Sequence, residues 1–208
     1  RTLMKNVFAL EPSTPIVKND SYILSYPHII DYFARKTSLK LGDVVCGAHM
    51  VYGWMPTILE LDLNREKIDL DKTLQTLNDA KSGNDVSTEQ ISDLASFIDN
   101  SIIGASKLLH FVAPYCFPIW DSKIYFFIHE NYPYHSRVNS IKKYIEYIDI
   151  LKNLKQNENF TNFYNSVQRK IGYEISPLRS LELVMFLNAP SINNSHRKNN
   201  LTQKNAQI

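Results

Sequence analysis

Glycine is scarce in this chain, with 6 residues against 12 Tyr and 10 Phe. An all-β fold built on tight turns draws on glycine wherever φ must be positive, so the shortage argues against one. Cysteine is scarcer still. Cys46 and Cys116 stand in apolar surroundings and make no disulfide framework. Both are expected to be reduced and buried, in a cytoplasmic protein. No stretch is long and apolar enough to cross a membrane, and no signal-peptide pattern occurs. Cys46 and His49 have i, i+3 spacing, but no second pair joins them to complete a metal site. There is no Cys-rich cluster for an iron–sulfur centre, no P-loop and no dinucleotide fingerprint. Neither a metal nor a cofactor is expected.

What is present is globular in character. At 44% hydrophobic and 21% charged, 208 residues suffice for one sizeable core. A single helical domain is expected over residues 1–190, with an irregular arm over 1–25. A polar, Asn-rich, disordered tail is expected over 191–208. The net charge of +2 conceals an asymmetry. Residues 1–100 hold 10 Lys+Arg and 14 Asp+Glu, a charge of −4, and residues 101–208 hold 13 and 7, a charge of +6. A basic half suits a polyanion partner, although solvated basic residues alone produce such an imbalance.

Helical periodicity begins at Pro27, with Ile29, Ile30 and Phe33 on one side. A largely buried helix follows Gly42, with Asp43 as its cap. It ends in a cluster of His49, Met50, Tyr52, Trp54, Met55 and Pro56, which reads either as a wall for a planar ligand or as a packed helix end. Further helices are expected over 69–81, 87–99, 140–154 and 160–171, and from Pro177 onward. Ser87 and Gln90 supply a capping box, and Pro177 suits a first helical position.

Residues 102–127, IIGASKLLHFVAPYCFPIWDSKIYFF, organise the rest. Gly104 is expected in a turn that tolerates φ > 0. A helix of about two turns follows over 105–112. Ala113-Pro114 ends it, because proline disfavours a helical residue before it and donates no N–H. Phe117-Pro118-Ile119-Trp120 is extended and apolar. Asp121 follows at the N-cap of the next helix, where its carboxylate accepts backbone N–H groups and is fixed in direction.

Ile103-Gly104-Ala105-Ser106-Lys107, followed by Phe117-Pro118-Ile119-Trp120-Asp121, resembles the helix-hairpin-helix DNA glycosylase superfamily. In that family an apolar-Gly-x-Gly hairpin and a following helix lead to a Phe-Pro-x-x-Asp segment whose aspartate is catalytic. The resemblance implies an all-α, compact multi-helix body with a helix-hairpin-helix element. It implies DNA as partner and hydrolysis of the N-glycosidic bond of a flipped, modified or damaged base. Asp121 falls on the catalytic aspartate, and Lys107 is near enough in sequence to share the site. Gly104, Ser106 and Lys123 would bind the DNA backbone. Tyr52, Trp54, Tyr115, Trp120 and His110 would line the base pocket.

The sequence also departs from the family pattern. Gly104 is the only hairpin glycine, and the helix before the aspartate is shorter by about one turn. Ser106 stands where bifunctional members carry lysine, and Lys107 comes one residue later. A monofunctional enzyme is therefore implied. The divergence from housekeeping patterns points to an unusual base, such as a modified base in foreign phage DNA.

Read without the resemblance, Asp121 is equally a plain cap and Lys107 a surface lysine. His110 shares a helix face with Lys107 and reads as a satisfied core histidine. A non-catalytic helical module binding nucleic acid or protein is the alternative, and an unrelated all-α enzyme or toxin is another. A monomer is expected.

Overall fold

The computed structural model describes residues 6–54, 59–64 and 68–191. Met55, Pro56 and, of the tail expected over 191–208, residues 192–208 lie outside them. Every regular element among the described residues is helical, so the fold is all-α. In chain order the helices are α1 (Val7–Leu10), α2 (Ser21–Ala34), α3 (Leu41–Trp54), α4 (Leu70–Lys81), α5 (Thr88–Phe97) and α6 (Ile102–Val112). They continue as α7 (Ser122–His129), α8 (His135–Val138), α9 (Ile141–Leu154), α10 (Phe160–Ile171) and α11 (Pro177–Leu187). None of them is long and apolar enough to cross a membrane.

Capping side chains set most of the starts. Asp69 accepts from Lys72 N at 2.9 Å, Ser176 accepts from Arg179 N at 3.1 Å, and Ser87 with Gln90 closes the expected capping box. Each such cap contributes about 0.5–2 kcal/mol. Asp43 is not the N-cap expected of it. It lies in the first turn of α3, where Oδ2 accepts from Lys40 N at 3.0 Å and Oδ1 pairs with Lys36 at 2.8 Å.

The arm expected over residues 1–25 is helical in large part. α1 and a short 3₁₀ turn, Glu11–Ser13, come first, and α2 begins at Ser21 rather than at Pro27. Asp20 decides this start, because its carboxylate accepts from Tyr22 N at 2.8 Å. Pro27 then falls inside the helix and has no N–H to offer the Ile23 carbonyl. The hydroxyl of Tyr173 donates to that carbonyl instead, at 2.7 Å.

The α5–α6 turn also differs from expectation. Asp99 and Asn100 take the left-handed conformation, with φ of 49° and 52°. Gly104 is inside α6, and the helix it belongs to starts earlier than expected, at the Ser101 cap. Glycine is needed there for close approach rather than for φ, since a Cβ would collide with the Tyr52 hydroxyl and stand 2.7 Å from Ile98 Cγ2. Asn139 secures the turn, accepting from Ile102 N at 2.8 Å and donating to Asn100 O at 2.9 Å.

α6 is the central helix, packed against α2, α3, α4 and α5, while α11 packs against α1, α7 and α10. Phe33, Phe97, Phe111, Trp120 and Tyr144 fill the core between them. Cys46 and Cys116 are exposed, not buried. Cys46 falls off the inner stripe of α3, which Val44, Gly47, Ala48 and Val51 occupy, and Cys116 lies in the turn after Pro114.

Candidate functional site

The connector before Asp121 is extended, so its peptides have no helix partners and must find others. Three side chains supply them. His110 Nδ1 donates to Phe117 O at 2.8 Å, Tyr144 Oη donates to Pro118 O at 3.1 Å, and Ser106 Oγ accepts from Trp120 N at 3.1 Å. The Trp120 indole N–H donates to Val138 O at 2.8 Å. Asp121 leaves this strapped segment as the N-cap of α7, where Oδ1 accepts from Ile124 N at 2.9 Å. The position read from the sequence for Asp121 is the observed one.

Asp121 faces a cavity of about 650 Å³. Lys107 from α6, Lys123 from α7 and Trp54 from the end of α3 line it too, so four residues singled out in the sequence meet there. The stretch from Pro15 to Ile23 forms another wall. α11 closes the cavity with Arg179, Glu182 and Phe186, none of which was singled out as a site residue from the sequence. Lys123 Nζ lies 4.2 Å from the Phe186 ring centroid, and the Trp54 indole N–H donates to Tyr22 O at 3.2 Å.

Arg179 and Glu182 are both buried, and Nη1 of the arginine donates to Oε2 of the glutamate. Burying such a pair costs several kcal/mol. Leu181, Val184 and Met185, buried on the same helix, contribute about 1.5–3 kcal/mol each and offset that cost. A signal for the pair was present in the sequence. α11 is apolar on all sides, so two charges one turn apart within it had to be buried with their neighbours.

The charges act on one another. Burial, assisted by Asp121 and opposed by Arg179 and Lys107, pushes the Glu182 carboxyl up to about 7. Burial pulls Lys107 below the ordinary lysine value, with Arg179 acting in the same sense, while Asp121 and Glu182 resist. Two buried polar atoms, Tyr147 Oη and Arg179 Nε, have no hydrogen-bond partner among the described residues. Glu182 and Asp121 both help raise the Tyr147 phenol, after burial, so that hydroxyl lies within their field.

Six residues expected at the site are elsewhere. Gly104 is closed under Tyr52, and its N–H is taken by Ser101 Oγ at 3.0 Å, which leaves nothing to offer a phosphate. Ser106 is fully buried and holds Trp120. Trp120 is itself core, for the same reason. Tyr52 is core because α3 and α6 approach closely at Gly104. His110 is buried. Since Phe117 O accepts from Nδ1, Nε2 accepts from Tyr26 Oη at 2.7 Å, and burial with Arg179 nearby holds the imidazole down at about 3. Tyr115 is exposed and does not line the cavity, donating instead to Glu174 Oε1 at 3.1 Å.

Among the described residues no three His, Cys, Asp or Glu side chains are grouped to hold a metal ion. Comparison with protein-family models, with curated proteins and with solved structures finds no match.

Proposed function

We propose that the chain is a monofunctional DNA glycosylase acting in the cytoplasm on a flipped, modified or damaged base. The observation that carries this reading is the meeting of Asp121, Lys107 and Trp54 in one cavity at the positive end of α7. Its volume of about 650 Å³ lies within the range of small-molecule sites, about 300–1,000 Å³. An enzyme that acts on a base must take it out of the stack, and a part-apolar cavity with an indole wall suits the flipped ring.

In the reaction the bond from C1′ to the base nitrogen breaks, the base departs with the electron pair, and it ends with the proton that the water gives up on adding to C1′. Asp121 stabilises the positive charge that develops on the sugar and orients the water that adds to C1′. Water rather than Lys107 is the nucleophile in this reading, because Ser106 and not a lysine stands at the position where bifunctional members of the resembled family carry theirs. Lys123 and the basic C-terminal half meet the phosphates, in place of the hairpin N–H groups that Ser101 and Asn139 occupy. A base-release assay on duplex DNA carrying varied modified bases tests the reading. A second reading, a helical module that holds DNA without cutting it, draws on that same closure of the hairpin. Tight binding without base release by the wild-type protein would favour it.

A further inference from the structure

Hydrolysis at Asp121 makes no use of Arg179 or Glu182. Both line the cavity, one turn apart on α11, and only 4% and 1% of their surface is exposed. The guanidinium carbon lies 4.7 Å from the Tyr26 ring centroid and 5.8 Å from that of Trp54, so aromatic faces hold the group in place. The bond from Nη1 to Glu182 Oε2 is the one hydrogen bond this guanidinium makes among the described residues, and Nε is buried without an acceptor. Nε and Nη2 form the side of a guanidinium that engages acceptors two at a time. Here that side is unengaged, next to a carboxylate whose second oxygen also has bonding capacity left.

We propose that the Arg179–Glu182 pair reads the edge of the bound base and takes an uncharged ring that presents a carbonyl oxygen beside a ring N–H. This is the lactam edge of uracil, guanine and their oxidised derivatives. The inference rests on the base-binding reading above and names its substrate class. A carbonyl oxygen has two lone pairs and satisfies both unengaged guanidinium donors, while the neighbouring N–H donates to the free oxygen of Glu182. Adenine offers a ring nitrogen with one lone pair at the corresponding edge and leaves half of the guanidinium side empty. A cationic alkylated base meets Arg179, Lys107 and Lys123, and the Tyr26 and Trp54 faces that would hold a cation are already taken by Arg179.

The test is calorimetric titration of the full chain with uridine, guanosine and adenosine at about pH 8, where Glu182 is ionised. Uridine or guanosine should bind about tenfold or more tighter than adenosine, the discrimination expected of a two-point contact. Arg179→Lys keeps a cation beside Glu182 but has no second donor side, and it should reduce the preference to within about twofold. Glu182→Gln, with its oxygen held by Arg179, turns an N–H₂ donor toward the ring and should cost the same preference while keeping the side chain's size and one acceptor for Arg179. Equal binding of the three nucleosides, preference for adenosine, or binding of none overturns the proposal. Base release separates it from the function it rests on. Lactam preference without base release from DNA refutes the glycosylase and leaves the recognition standing. Release of a cationic base from methylated DNA keeps the glycosylase and overturns the recognition.

Discussion

Trp120 donates its backbone N–H to the buried hydroxyl of Ser106 at 3.1 Å, and this bond fixes the peptide that precedes Asp121. The Ser106 proton turns back to Ile103 O at 2.8 Å, so the hydroxyl is tied to its own helix while it holds the connector. The position that the sequence resemblance assigned to DNA is therefore a clamp on the candidate catalytic residue.

Ser106→Ala should leave the Trp120 N–H buried without an acceptor. The expected loss is about 1–3 kcal/mol in denaturant unfolding. Because Asp121 is then held less firmly, base release should slow through kcat with little change in KM. An unchanged unfolding midpoint would show that the connector is held without this bond.

Asp121→Asn tests chemistry apart from structure. Asparagine is also a good N-cap, so stability should change by a few tenths of a kcal/mol. Removal of the charge beside an oxocarbenium-like transition state should cost about 4 kcal/mol, a loss of about a thousandfold in turnover. Near wild-type base release by a folded Asp121→Asn protein would remove Asp121 from the mechanism.

Borohydride reduction during turnover should trap no covalent protein–DNA adduct, and the product should be an intact abasic site. An adduct that disappears in Lys107→Ala would make the Lys107 amine the nucleophile, a role that its burial also favours.

Glu182 and His110 give opposing pH dependences. The folded-state value of Glu182 is raised from 4.5 to about 7, so its contribution to stability is full below the unfolded value and is lost as pH rises through about 7. His110 is lowered from 6.5 to about 3, so its contribution is present above the unfolded value and is lost as pH falls toward about 3. The two trends partly cancel near pH 5–6. Glu182→Gln removes one of them, and unfolding free energy should then rise between about pH 5 and 7 by about 2 kcal/mol more than in the wild type. Parallel curves for the two proteins would refute the raised carboxyl.

DNA affinity should fall steeply with salt, because phosphate contacts release counterions, by a slope of about −0.9 per contact on duplex DNA. Lys123→Ala should lower that slope by about one contact and leave the fold intact. A flat salt response would argue against a nucleic-acid partner.

Local rules carried the sequence reading where one residue decides the outcome. Ser87 with Gln90, Pro177 and Asp121 each mark a helix start, and each start is found where its residue placed it. Pro27 misled because proline disfavours a helix only until another group satisfies the carbonyl it strands, and Tyr173 is far away in sequence. Gly104 misled because a glycine needed for φ and one needed for close packing look alike until Tyr52 is placed against it. Trp120 and His110 have polar edges that suit a base pocket, but Val138, Phe117 and Tyr26 satisfy those edges inside the core. Arg179 and Glu182 were not legible as site residues because charges within a helix read as its solvated face until the helix is seen to be buried on all sides.

The hydroxyl that replaces the missing N–H of Pro27 joins residues 150 positions apart, and the Asn188 amide reaches Thr14 Oγ1 across 174. The cavity is walled on one side by residues 15–23 and on another by α11. On a growing chain this site cannot exist until α11 has emerged from the ribosome, however early α2 through α7 take shape. Closing so long a loop is entropically costly and slow, and until it closes the face of α7 that packs against α11 is uncovered. The cavity around Asp121 is thus completed only after α11 has been synthesised.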